Sequence, residues 1–313
     1  MKLIFRKTVS YIFVLLVLGF IVSYLAYNWK SVSSVRWWEN PGLLSIHIVL
    51  MALTFSLFVI GWQRLLKMAR TPVSNKAAGC AWLIPNIGKY VPGKVFMVAG
   101  RVALLTTFGV RAATAASLII WEHVILILAA MPFSLFILLN YSEYYPLKII
   151  VAVISVLFLL LLISLNSEII QSIINSLLKV FKKPPLELVL QRKTVMSLFF
   201  FYLFIWIIYG FSGVILAYAL GFGDKIPLLL LFNVFIFSWL IGFISMITPG
   251  GIGVREGILI LMIKPYVAMP EVIVFALLAR MTWIITELVG VIAGLILGNK
   301  LDIKHYFNIK KRL

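Results

Sequence analysis

The chain has 313 residues, 63% of them hydrophobic and 12% charged, with a mean hydropathy of +1.10. A soluble globular chain is about half apolar and about a quarter charged, so this composition excludes a soluble enzyme, a disordered chain and a nucleic-acid-binding domain, and it describes a multi-span membrane protein. The net charge of +18 sits in clusters between apolar stretches, where Lys and Arg orient helices by facing the cytoplasm and also attract anionic lipid headgroups.

Lys2, Arg6 and Lys7 precede an apolar run over 11–26. The run is long for a signal peptide and no small-residue cleavage site follows it, so it reads as the first transmembrane helix. A crossing needs about 20 mostly apolar residues. The stretches 9–28, 43–62, 113–139, 147–166, 195–220, 227–247 and 271–298 meet that requirement. Two more are apolar but broken. The stretch 77–108 contains Pro85, Gly88, Pro92, Gly93, Gly100 and Arg101, and the stretch 248–263 opens with Pro249, Gly250, Gly251 and Gly253. The lone cysteine, Cys80, reads as a packing residue.

Basic residues at the N-terminus, at Arg64, Lys67, Arg70 and Lys76, in the linker 167–194, and in the tail 299–313 predict four cytoplasmic sites. The chain is then cytoplasmic before Ala77 and again near Arg111, so the first broken segment is expected to enter and return as a re-entrant hairpin. The same bookkeeping has the second broken segment carry the chain across as a short or half-helix. The expected fold is an all-α polytopic helix bundle of about eight crossings, with both termini cytoplasmic in the cell membrane. The linker carries Pro184 and Pro185 and an amphipathic stretch over 168–181. It separates two halves, 1–166 and 195–298, each with one broken segment, and such a pair marks a transporter binding site.

Pro and Gly free backbone groups that cost several kcal/mol each in hydrocarbon unless protein or water satisfies them. Around the first break, Asn86, Lys89, Lys94 and Arg101 offer donors for a phosphate; the same lysines also suit a cytoplasmic amphipathic turn. In the second, Gly250, Gly251 and Gly253 can turn amides inward as an anion-binding nest, with Arg255 and Glu256 opening a half-helix; a tight turn is the plainer reading. Glu122, Arg280 and Glu287 lie inside apolar helices and must face the bundle interior, as substrate ligands, proton relays or structural ion pairs. Arg280 and Glu287 are seven residues apart and share a helix face. The three histidines are widely separated, so no metal site and no cofactor are expected. The segment 250–257 lacks the Lys-Ser/Thr of a P-loop. Gly290, Gly294 and Gly298 form a small-residue stripe for close helix packing, within the chain or in a homo-oligomer. The tryptophans read mostly as interface anchors.

Together, the stretch 85–101, the triplet Trp121-Glu122-His123 and above all Pro249-Gly250-Gly251-Ile252-Gly253-Val254-Arg255-Glu256 resemble the transmembrane region of lysylphosphatidylglycerol synthases, a flippase-like domain also found alone. The resemblance implies a bundle with broken, re-entrant elements that moves lipids with modified headgroups between leaflets. Full-length synthases carry a soluble aminoacyl-transferase domain after this region; this chain stops at Leu313, so synthase activity is not expected. The function expected is a flippase or transporter of an anionic or headgroup-modified (aminoacyl- or glycosyl-) lipid, with no covalent chemistry. Its partners would be anionic membrane lipids and envelope-synthesis enzymes, and no nucleic acid. A membrane-embedded lipid-modifying enzyme and an accessory scaffold are the alternatives.

Overall fold

The computed structural model describes residues 29–35, 38–91, 95–141, 167–180, 184–186, 188–245 and 248–300, together with Ser23, Ala26 and Tyr27. The expected crossings 9–28 (apart from those three residues) and 147–166, the tail beyond Lys300, and Lys94 lie outside the described residues. Within them the protein is an all-α membrane helix bundle. Four helices are long and apolar enough to cross a bilayer: α2 (Pro41–Met68), α5 (Ala112–Tyr141), α7 (Arg192–Ala219) and α10 (Met269–Lys300). A short helix α1 (Trp29–Ser34) precedes them.

α2 and α7 pack antiparallel along their length. Asn40 Nδ2 donates to the Ala219 carbonyl at one end, and the Arg64 guanidinium sits 4.1 Å from the centre of the Phe201 ring near the other. Between them His47 Nδ1 donates to the Ser212 carbonyl at 2.8 Å, and its Nε2 lies 2.9 Å from the Thr282 hydroxyl of α10. Three helices thus share one buried imidazole, which satisfies polar groups that water cannot reach. α10 runs parallel to α2: Thr282 stands beside His47, and Gly290 abuts Phe55.

The first broken segment folds as α3 (Asn75–Leu83), a 3-10 stretch over Ile84–Tyr90, and α4 (Val95–Thr107). Ser74 caps α3 by accepting from the Ala77 amide. Pro85 then removes a donor, and the chain tightens into 3-10 geometry before turning. The legs approach closely because a Cβ on Gly100 would lie 2.9 Å from Pro85 and one on Gly88 would strike the backbone of Phe96 and Met97. Both legs leave from the same end of the bundle: the Asn75 carbonyl accepts from Gln63, and Arg101 lies over Trp62. This is the expected re-entrant hairpin, with its tip at Tyr90.

The second broken segment departs from its expected course. α8 (Leu228–Ile244) has 17 residues and α9 (Val254–Ile263) has 10. At 1.5 Å per residue they span about 25 and about 15 Å, against roughly 30 Å of hydrocarbon. Phe243, near the end of α8, stacks on His123, eleven residues along α5 from Ala112 and so about 16 Å short of that end of the helix. Lys225 and Glu271, flanking α8–α9 at its open side, pair at 3.3 Å. The segment therefore enters from the opposite end and turns back rather than crossing. An apolar half-helix and a tilted crossing have the same hydropathy, so composition could not separate them. The eight crossings of the sequence reading counted this segment as a pair of full spans, and also counted stretches outside the described residues.

The linker helix α6 (Ser167–Val180) is amphipathic as expected. Ile170 and Ile174 enter the core while Ile169, Ile173 and Leu177 are exposed. Asn175 and Gln171 bind the backbone of Leu186, so the Pro184–Pro185 turn lies against the helix. The tryptophans correct another expectation: Trp62, Trp121, Trp206 and Trp283 are buried, and only Trp29 and Trp38 are exposed among the described ones. Gly290 and Gly294 pack against Phe55, Leu83 and Ile84 of the same chain, so their small size serves close packing within the fold.

Gly213 of α7 lies under the Phe235 ring, whereas a Cβ on Gly257 of α9 would meet nothing within 4 Å. Gly213→Ala should cost about 1–3 kcal/mol by overpacking. Gly257→Ala should be neutral or gain up to about 1 kcal/mol from helix propensity. Melting of the two purified variants beside wild type checks the contrast.

Candidate functional site

The two hairpins, entering from opposite ends, meet tip to loop inside the bundle. The Tyr90 ring at the first tip covers Gly250 in the second loop, where a Cβ would come within 2.7 Å. The loop is possible because Gly250, Gly251 and Gly253 hold φ of +58°, +74° and +82°, the left-handed region that only glycine enters at no cost.

Glu287, on α10, accepts from Lys89 and from the Tyr90 hydroxyl, the latter at 2.6 Å. Both partners come from the first hairpin, so this one carboxylate holds its tip. Arg280, seven residues earlier on the same face, reaches the second loop: its Nη2 donates to the Gly250 carbonyl at 3.1 Å, and its Nε lies 3.6 Å from Glu256. Arg280 and Glu287 therefore share a face, as their spacing predicts, but each pairs with a different hairpin and not with the other.

A third ion pair joins the return leg of the first hairpin to α5. Arg101 Nη2 approaches Glu122 Oε2 to 2.6 Å, and the Trp82 indole donates to Glu122 Oε1 at 2.9 Å. The Arg101 guanidinium is 4.0 Å from the centre of the Trp62 ring, a cation–π contact that is strong when desolvated. The Arg101–Glu122 approach lies off the N–H axis, and Arg101 Nε has no hydrogen-bond partner among the described residues.

Glu256 changes the meaning of the glycine-rich loop. It occupies the third position of α9 and accepts from the Gly253 amide at 2.6 Å. This is the reciprocal half of a capping box. The chain's own carboxylate thus fills the place at the helix start where the nest reading puts an external anion. Arg255, beside it, extends past Gly242 to donate to the Tyr209 hydroxyl and stands 5.6 Å from the Trp283 ring centre.

Between these groups lies a cavity of about 70 Å³. Of the predicted site residues, Asn86, Lys89, Arg101, Glu122, Gly250, Arg255 and Glu287 line it. Gly251, Gly253, Glu256 and Arg280 stand behind the lining and brace it, and Lys94 lies outside the described residues. Of the apolar wall, Phe55, Phe58, Trp82, Trp239 and Phe243 were not singled out from sequence, whereas Trp283 falls on the Arg280–Glu287 face by its spacing. Phe243 stacks between His123 and Trp239, with ring centres 5.3 and 4.9 Å away. Aromatic residues are common throughout the chain, so no local signal marked those five. No group of three or more His, Cys, Asp or Glu close enough to hold a metal occurs among the described residues.

Arg101→Leu should cost about 3–5 kcal/mol, because it leaves Glu122 buried without its counter-charge. Adding Glu122→Leu should recover part of the loss. Denaturation of the single and double variants measures this, and equal stabilities would show that the pair is not coupled.

Residues 7–292 match the family described as the lysylphosphatidylglycerol synthase TM region. A comparison with curated proteins finds no match. With nearly its whole length matched, the chain belongs to the lysylphosphatidylglycerol synthase transmembrane-region family, and its role is a membrane one related to lipids.

Proposed function

We propose that this member of the lysylphosphatidylglycerol synthase transmembrane-region family is a flippase or transporter that moves an anionic or headgroup-modified lipid between the leaflets of the cell membrane, with both termini cytoplasmic. The observation that carries this reading is the charged cavity formed where the two opposed hairpins meet. Charged side chains inside a membrane bundle are costly and mark pathways for polar cargo. In this reading the headgroup enters the cavity while the acyl tails stay in lipid. Lys89, Arg101 and Arg255 meet the phosphate, and Glu122 and Glu287 balance charge or accept hydroxyl and ammonium groups.

The cavity as it stands has room for on the order of five waters, less than a whole headgroup. Passage therefore requires the tip and the loop to part. Hairpins rooted at opposite ends supply this naturally, since withdrawing one opens a path to one side only, the geometry of alternating access. The reaction proposed has no covalent step; movement runs down a gradient or couples to protons through the buried carboxylates.

The test is reconstitution into vesicles with fluorescent phosphatidylglycerol and an impermeant quencher. Wild type should speed exchange between leaflets about 10-fold or more over protein-free vesicles. Glu122→Gln, if it melts near wild type, should slow exchange by roughly 10- to 100-fold, the equivalent of one charge-assisted hydrogen bond of about 1.5–3 kcal/mol. Exchange no faster than in empty vesicles, from folded protein, would contradict the reading and favour a scaffold; formation of a new lipid product would favour an enzyme.

A further inference from the structure

Among the described residues the buried charges do not cancel. Lys89 pairs with Glu287, Arg101 with Glu122, and Arg280 with Glu256. Arg255 is the cation left over. It is 7% exposed, its hydrogen bond goes to the neutral Tyr209 hydroxyl, its guanidinium stands 5.6 Å from the Trp283 ring centre, and no described carboxylate lies within ion-pair reach. A charge taken out of water without a counter-charge is unfavourable, so this arrangement is complete only when an anion joins it. A second group points the same way. Asn86, 6% exposed, lines the same cavity, and its side-chain nitrogen Nδ2 has no partner among the described residues. An amide N–H₂ only donates, and so it too calls for an acceptor. The carboxylates, by contrast, are engaged. Glu287 holds Lys89 and Tyr90, Glu122 holds Arg101 and Trp82, and Glu256 holds the Gly253 amide.

We propose that Arg255 and Asn86 form the seat of a single phosphodiester, and that the cavity selects headgroups carrying one net negative charge over those with net positive charge, the lysyl ester of phosphatidylglycerol included. The inference rests on the lipid-transport reading and narrows its cargo. A lysyl ester adds two ammonium groups to one phosphodiester. Its net positive charge would enter a lining of three cations and two carboxylates, with both carboxylates already paired. A glycerol or glycosyl phosphodiester would instead supply the missing negative charge. At low dielectric the difference between these cases is large and is poorly screened by salt.

The test is competitive binding to purified protein in phosphatidylcholine nanodiscs. The probes are short-chain phosphatidylglycerol, phosphatidylcholine, lysylphosphatidylglycerol and the tail-free headgroup glycerophosphoglycerol. Phosphatidylglycerol should bind at least 10-fold more tightly than lysylphosphatidylglycerol. Arg255→Gln should bring phosphatidylglycerol down to the phosphatidylcholine level, and Arg255→Lys should keep most of the preference. Equal or tighter binding of lysylphosphatidylglycerol to wild type would overturn the charge selection while leaving the lipid reading intact. That comparison needs no variant, so it stands even if Arg255→Gln fails to fold. Displacement of phosphatidylglycerol by an equal concentration of glycerophosphoglycerol would overturn the lipid as the source of the anion. Binding of no lipid to folded wild type would remove the lipid reading itself.

Discussion

A Lys ammonium carried into an apolar bundle is stable only where a carboxylate meets it, and Lys89 meets Glu287. This contact sets how deep the first hairpin reaches. Tyr90 adds a second bond to the same carboxylate, and its ring then covers Gly250. Arg280, one face-repeat earlier on α10, ties the Gly250 carbonyl and Glu256. One helix face thus fixes both hairpins against each other. The aromatic wall, the Arg101–Glu122 pair and the cavity take their positions from that meeting. Without a partner for Lys89 the tip would have no reason to sit inside the bundle.

Under the proposed transport function, the same interactions let the bundle close and open. Buried ion pairs contribute little net stability, because desolvation offsets their attraction. A pair that water or a polar headgroup can replace is therefore a reversible latch rather than a permanent tie. The apolar contacts between the long helices carry the lasting cohesion. α2 and α7 remain packed through Phe58, Tyr202 and Trp206, and α7 and α8 through Tyr209 and Phe235. The hairpin legs are short and joined through 3-10 and left-handed glycine geometry, so their ends can shift while the long helices hold.

Much of this was legible in the sequence, for physical reasons that also mark where legibility ends. Pro85 and the glycines at 250, 251 and 253 must break a helix, and they do. Glu122, Arg280 and Glu287 could not face lipid, and all three are buried. Their partners were not legible: Lys89 and Glu287 stand 198 positions apart, and only the packed bundle brings them together. The depth of the second hairpin was hidden because hydropathy measures how apolar a segment is, not how far it travels. Trp62, Trp121 and Trp206 were misjudged because an amphipathic ring suits both an interface and a core with a hydrogen-bond acceptor. Trp121 and Trp206 find one in the carbonyls of Leu188 and Leu126. Glu256 shows how local chemistry can mislead. A glycine-rich turn before a helix invites an anion, and the anion that answers is three residues away.

The measurement closest to the central claim is a charge-exchange cycle on the latch, comparing Lys89→Glu, Glu287→Lys and the double exchange with wild type for both melting temperature and lipid movement in vesicles. The account predicts that each single exchange, by facing two like charges across the tip, lowers stability and slows movement about 10-fold or more, and that the double exchange restores most of both. Single exchanges without effect, or a double exchange no better than the worse single, would contradict a structure organised around this pair.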